Sequence, residues 1–202
     1  MRLFVLGATG RTGSQILELA LARGHDVTAY VRSPKKLVPS ERLRILAGDP
    51  RSTEGLRKVL PGHDAVVSAL GPPTRDLLRP SSLLTDCAAS TVAAMTASGV
   101  SRLAIVSAAL LFDEKGPLFA FVRWLLRHHV RDLATMETIV TASDLRWTIA
   151  RPPRLVAASD TIYRALPNAL PGRFISFRAV AAFLLDAIDG QEHVAEIVGV
   201  SR

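Results

Sequence analysis

The residues able to do chemistry start at the N-terminus. Gly7, Gly10 and Gly13 recur in Gly7-Ala-Thr-Gly-Arg-Thr-Gly13, directly after the apolar run at residues 3–6. Residues 14–23 then read as a helix, with Ile16, Leu17, Ala20 and Leu21 on one face. A strand that turns into a helix through glycines is a phosphate cradle. Gly7 permits the tight turn, Gly10 lets a pyrophosphate approach the backbone, and Gly13 lets the helix pack on the strand. The free N–H groups and positive dipole end of that helix face the anion. Thr9, Arg11 and Thr12 complete the loop around a dinucleotide, Arg11 either meeting the adenosine phosphate or pointing to solvent.

The choice of dinucleotide falls to the end of the second strand, where a carboxylate would bind a ribose 2′-hydroxyl. Here that end carries Arg32 and Ser33, followed by Pro34-Lys35-Lys36. A guanidinium and a hydroxyl suit a 2′-phosphate, so NADP(H) is preferred over NAD(H). Asp49, in Ala47-Gly48-Asp49-Pro50, either accepts from an adenine amine or forms a turn before proline. Leu70 and Gly71 follow the fourth strand, where the backbone would pass the nicotinamide-side ribose.

These residues need a scaffold, and the chain alternates strand and helix throughout. Strands are expected at 3–6, 26–31, 43–47, 65–70, 103–106, 147–150 and 195–198. Helices are expected at 14–23, 53–60 (Thr53 as N-cap), 82–98, 117–142 (broken near His128-His129) and 179–188. Several strands are continuously apolar, as in a parallel sheet covered on both faces. Right-handed crossovers then give an α/β fold, a single Rossmann domain over 1–202 with a doubly wound, mainly parallel sheet and helices on both faces. Residues 151–177, rich in proline at their start and without regular pattern to 172, form a substrate-side lobe.

With 202 residues, 49% of them hydrophobic and 21% charged, the chain can bury one sizeable core. It shows no run of 18 apolar residues and no signal peptide, so neither a membrane partner nor export is expected, and one cysteine, Cys87, fits the cytoplasm. The formal charge of +7 is scattered, which favours anionic small molecules over nucleic acid. The five histidines lack metal-ligand spacing, so no metal is expected.

Further segments add a likeness. Val31-Arg32, Gly48-Asp49, Asp64-Ala-Val-Val, Val106-Ser107-Ala108, Arg151-Pro152-Pro153 and Phe174-Ile-Ser-Phe-Arg-Ala-Val180, with the glycine loop, resemble the atypical short-chain dehydrogenase/reductases. Within these the chain is most similar to the NAD(P)H-binding group of flavin reductase/biliverdin-IXβ reductase, and more distantly to NmrA-like regulators. The resemblance implies hydride transfer from NADPH to a flavin or similar planar acceptor. It places Ser107 and Arg154 at the reactive end, Pro152 on the cofactor, and Arg173 by the acceptor. Trp124 would line the acceptor pocket or pack in the core, and residues 119–131 would form a lid, a dimer contact or a surface helix, in a monomer or homodimer. Two departures stand out. The Tyr-x-x-x-Lys pair is absent, and Arg154 replaces the histidine of Pro-Pro-His, which disfavours biliverdin while leaving FMN. The rival reading is an NmrA-like redox sensor that binds NADP(H) without turnover.

Overall fold

Successive residues of the first strand point to opposite faces, and residues 3–6 are all apolar, so this strand demands cover on both sides. The computed structural model describes residues 1–113, 116–190 and 192–202. In chain order the strands are β1 (Arg2–Leu6), β2 (Asp26–Val31), β3 (Leu43–Ala47), β4 (Ala65–Ser68), β5 (Arg102–Val106), β6 (Arg146–Arg151), β7 (Arg154–Val156), β8 (Arg164–Pro167), β9 (Phe174–Ser176) and β10 (Glu196–Ser201). The helices are α1 (Arg11–Ala22), α2 (Thr53–Val59), α3 (Leu83–Ser98), α4 (Pro117–Leu125), α5 (Arg127–Thr141) and α6 (Phe177–Asp189). Leu3 and Val5 pack with Ile16 of α1 and Phe183 of α6, while Phe4 and Leu6 pack with Leu56 of α2, Met95 of α3 and Met136 of α5. The helices thus cover both faces of one sheet.

That sheet runs β3-β2-β1-β4-β5-β6-β10-β8, parallel except for β8, which pairs antiparallel with β10. The chain builds β2 and β3 on one side of β1, then returns to lay β4 on its other side. This reversal opens a crevice beyond the carboxyl ends of β1 and β4, and ligands of doubly wound sheets bind at such a point. The fold is the expected single-domain α/β Rossmann architecture. Among the described residues no helix is long and apolar enough to cross a membrane.

Several boundaries differ for identifiable reasons. Helix α1 starts at Arg11 rather than 14, because Gly10 is its N-cap and the Ser14 N–H donates to the Gly10 carbonyl at 2.8 Å. The cap of α2 is Ser52, not Thr53; its Oγ accepts from the Gly55 N–H at 3.1 Å. Likewise α6 begins at Phe177 because Ser176 Oγ accepts from the Ala179 N–H. The break between α4 and α5 falls at Leu126, ahead of the two histidines. Residues 154–156 and 164–167, without visible pattern in the sequence, form β7 and β8. Strands of three and four residues are too short to show alternation, and Pro167 is tolerated because β8 is an edge.

Candidate functional site

At the mouth of the crevice the glycines are required by geometry. Gly7 has φ +80°, and a Cβ there would stand 2.5 Å from the Ala69 carbonyl oxygen beyond β4. A Cβ on Gly13 would collide with the Gly7 carbonyl, so α1 seats against the end of β1 only without one. The Gly10 N–H donates to Gly7 O at 2.9 Å, closing the turn. Gly10 gives α1 no side-chain cap among the described residues, and no acidic residue stands in the first turn. Serines cap α2 and α6, whereas the start of α1 has no side-chain cap among the described residues, and free N–H groups at a helix start can receive an anion. Thr9 is exposed and Thr12 is buried in the first turn. Arg11 lies with its guanidinium carbon 4.5 Å from the Phe177 ring centroid. Beside it Arg178 bonds Gln15 at 2.9 Å and Glu18 at 2.7 Å, tying α6 to α1.

Arg32 and Ser33 stand exposed just past β2. Asp49, past neighbouring β3, is gripped by Arg51: Nη2 donates to Oδ2 at 2.6 Å and the Arg51 backbone N–H to Oδ1 at 3.0 Å. These bonds hold the Asp49 carboxyl below the usual carboxylate range, and the charge of Arg32 adds to the effect. Two guanidinium groups therefore act on one carboxylate at the ends of β2 and β3. Gly48 makes room for Tyr30, whose hydroxyl a Cβ there would strike. Leu70 is half-buried, and Gly71 is exposed with open space where its side chain would be.

At the other end of the crevice, Ser107 follows β5 and donates its N–H to Ala150 O at 2.7 Å. Its Oγ donates to Glu137 Oε1 at 2.5 Å. Arg151 grips the same carboxylate, Nε to Oε1 at 3.0 Å and Nη2 to Oε2 at 2.5 Å. Arg151 in turn donates from Nη1 to Leu111 O at 3.1 Å and lies over the Phe112 ring. Ser107 and Glu137 are 6% and 5% exposed, so this is an interior network. Pro152 is brought to the same loop, its carbonyl accepting from the Ala109 N–H at 2.9 Å. Arg154, exposed on β7, is in register with Phe174 of β9, and Arg173, also exposed, directly precedes that strand. Trp124 is 61% exposed on α4, stacked on Phe121, with Arg127 5.5 Å from its centroid. Ser107 and Pro152 therefore share one place, Arg154 and Arg173 stand exposed on or next to the small β7–β9 sheet, and Trp124 faces solvent.

Sequence reasoning missed Arg51, Glu137, Arg151 and Asp132. Glu137 had a signal: it sits on the helical stripe of Leu133, Met136 and Val140, all buried, where a carboxylate needs a partner. Asp132 caps α3 from α5, accepting from the Leu84 N–H at 3.0 Å and the Thr85 N–H at 2.9 Å. That contact ties α5, which carries Glu137, to the start of α3.

A family described as NAD(P)H-binding matches residues 7–191. A 3-diazoavenalumate denitrifying reductase of a Streptomyces species is 28% identical over 171 residues, 75% of this chain and 55% of that protein; the chain spans about half that relative's length. An oxidoreductase of Lactococcus lactis superposes with a TM-score of 0.86 at 17% identity, covering 100% of this chain and 91% of the other. A short-chain dehydrogenase/reductase of Veillonella parvula in complex with NADP gives 0.80 at 20% identity, over 100% of this chain and 94% of the other. At those identities the two structures speak for the fold.

Proposed function

The chain belongs to the NAD(P)H-binding family, and from that premise we propose that it is an NADPH-dependent oxidoreductase acting on a flavin or similar conjugated planar acceptor. The observation that carries the reading is the uncapped start of α1 behind a turn that only glycine can make, with Arg32 past β2. Gly7, Thr9, Gly10, Thr12 and Gly13 would hold the pyrophosphate. Arg32 and Ser33, with Arg51, would hold the 2′-phosphate. Asp49 does not oppose this, because its oxygens are engaged by Arg51. Leu70, Gly71 and Pro152 would border the nicotinamide, and Arg154 with Arg173 would draw an anionic acceptor such as FMN. When bound, the dinucleotide supplies a hydride from its nicotinamide ring. Among the described residues no side chain at this end of the crevice is an evident proton donor. The only tyrosines are Tyr30 and Tyr163; Tyr30 lies in β2, and the Tyr163 hydroxyl donates to Asp186 at 2.6 Å. Burial, with that bond, raises the Tyr163 hydroxyl above its ordinary range. A flavin suits such a site because solvent can protonate its reduced ring, and the work of the protein is alignment. The Streptomyces relative, named as a reductase, supports the same class.

The test follows NADPH consumption with FMN, riboflavin, quinones and biliverdin in turn. Turnover with a flavin and little with biliverdin is the expected result. Tight NADPH binding without consumption by any acceptor would sink the reading and favour a binding module.

A further inference from the structure

We propose that Glu137 and Arg151 fix the polarity of Ser107, so that its hydroxyl acts towards the crevice only as a hydrogen-bond acceptor, and that the group it receives is the carboxamide N–H of a bound nicotinamide. A serine hydroxyl has a single proton to donate. In Ser107 that proton points at Glu137 Oε1, 2.5 Å away. Glu137 is not free to swing aside, because Arg151 holds both its oxygens and is itself anchored on Leu111 O and the Phe112 ring. A hydroxyl bonded to a carboxylate makes roughly twice as strong a bond as one to a neutral acceptor. Turning the proton to a ligand would strip a buried carboxylate of that bond, a loss that a neutral ligand carbonyl does not restore. What remains on Oγ is lone-pair density, which receives N–H donors.

The carboxamide is the hydrogen-bonding substituent on the nicotinamide ring, and it offers both N–H and C=O. A fixed acceptor selects the N–H edge and so turns the ring one way. Ser107 then orients the cofactor and does not protonate or polarise the acceptor. Glu137 and Arg151 are positioning residues that act through it. The inference rests on the dinucleotide placement proposed above and not on the identity of the acceptor.

The experiment compares dissociation constants of NADPH and its 3-acetylpyridine analogue, which keeps the carbonyl and lacks the amine. Wild-type protein is expected to favour NADPH by about three- to tenfold, the worth of one hydrogen bond. Ser107→Ala leaves the Glu137–Arg151 pair intact and is expected to bring the ratio close to one. Glu137→Gln is expected to lower the ratio while Ser107 is still present, which a purely structural carboxylate would not do. A ratio equal in wild type and Ser107→Ala, or a wild type without preference, overturns the assignment of Ser107. A Glu137→Gln protein with the wild-type ratio overturns the role of Glu137. Failure of wild-type protein to bind either dinucleotide would instead sink the proposed function itself, and this inference with it.

Discussion

Ser107 and Glu137 look alike in burial, yet removing them should cost very different amounts. Replacing Ser107 by alanine loses one hydrogen bond, while Glu137 still answers Arg151, so the cost is about 1 kcal/mol. Replacing Glu137 by alanine leaves the Arg151 guanidinium, 14% exposed, without its counter-charge. An uncompensated charge in such a place costs about 3–5 kcal/mol. Urea unfolding of the two variants checks the order, and equal losses would mean that the Glu137–Arg151 pair is not an interior ion pair. Cys87 shows the opposite use of burial. Desolvation, then the charge of Asp49, pushes its thiol up to about 12, so it stays protonated and packs as a small apolar side chain. The buried Cys87 and the glycine loop could be read from residue type and neighbours. The Ser107–Glu137–Arg151 network could not, because its members come from three separate elements.

At the scale of elements, the join between β1 and α1 carries the site. It depends on two backbone approaches, Gly7 to Ala69 and Gly13 to Gly7, that leave no room for a methyl group. Gly13→Ala is therefore expected to destabilise the protein by about 1–3 kcal/mol through overpacking. For a chain of this length that lowers the thermal midpoint by about 2–12 °C, and NADPH binding should weaken with it because the helix start is displaced. A variant with wild-type stability and affinity would contradict the packing role given to Gly13. The sequence was most legible where local rules act alone. Strands β2 and β3 have the bounds read from their apolar runs, and Gly99 closes α3 in a left-handed conformation, φ +69°. It was least legible where a distant group decides. The start of α3 is capped by Asp132 of α5, and β7 exists only because β9, a strand some twenty residues later, lies beside it.

For the whole molecule, the order of strands places every candidate cofactor-binding group at one end of the sheet. The cradle follows β1, Arg32 follows β2, Asp49 and Arg51 follow β3, Leu70 follows β4, Ser107 follows β5 and Pro152 follows β6. Alternation of strand and helix in the sequence was enough to foresee this arrangement, since right-handed crossovers align the carboxyl ends of parallel strands. The +7 charge gives the chain a field that attracts an anionic cofactor. The proposed function requires that cofactor to lie in the crevice with its 2′-phosphate at Arg32. The direct measurement is a calorimetric titration of wild type and Arg32→Asp with NADPH and with NADH. Wild-type protein should bind NADPH at least about tenfold more tightly than NADH, as a charge-assisted pair to phosphate warrants. Arg32→Asp should lose most of its affinity for NADPH and retain that for NADH. Equal losses for the two dinucleotides, or a wild type that does not distinguish them, would contradict the account.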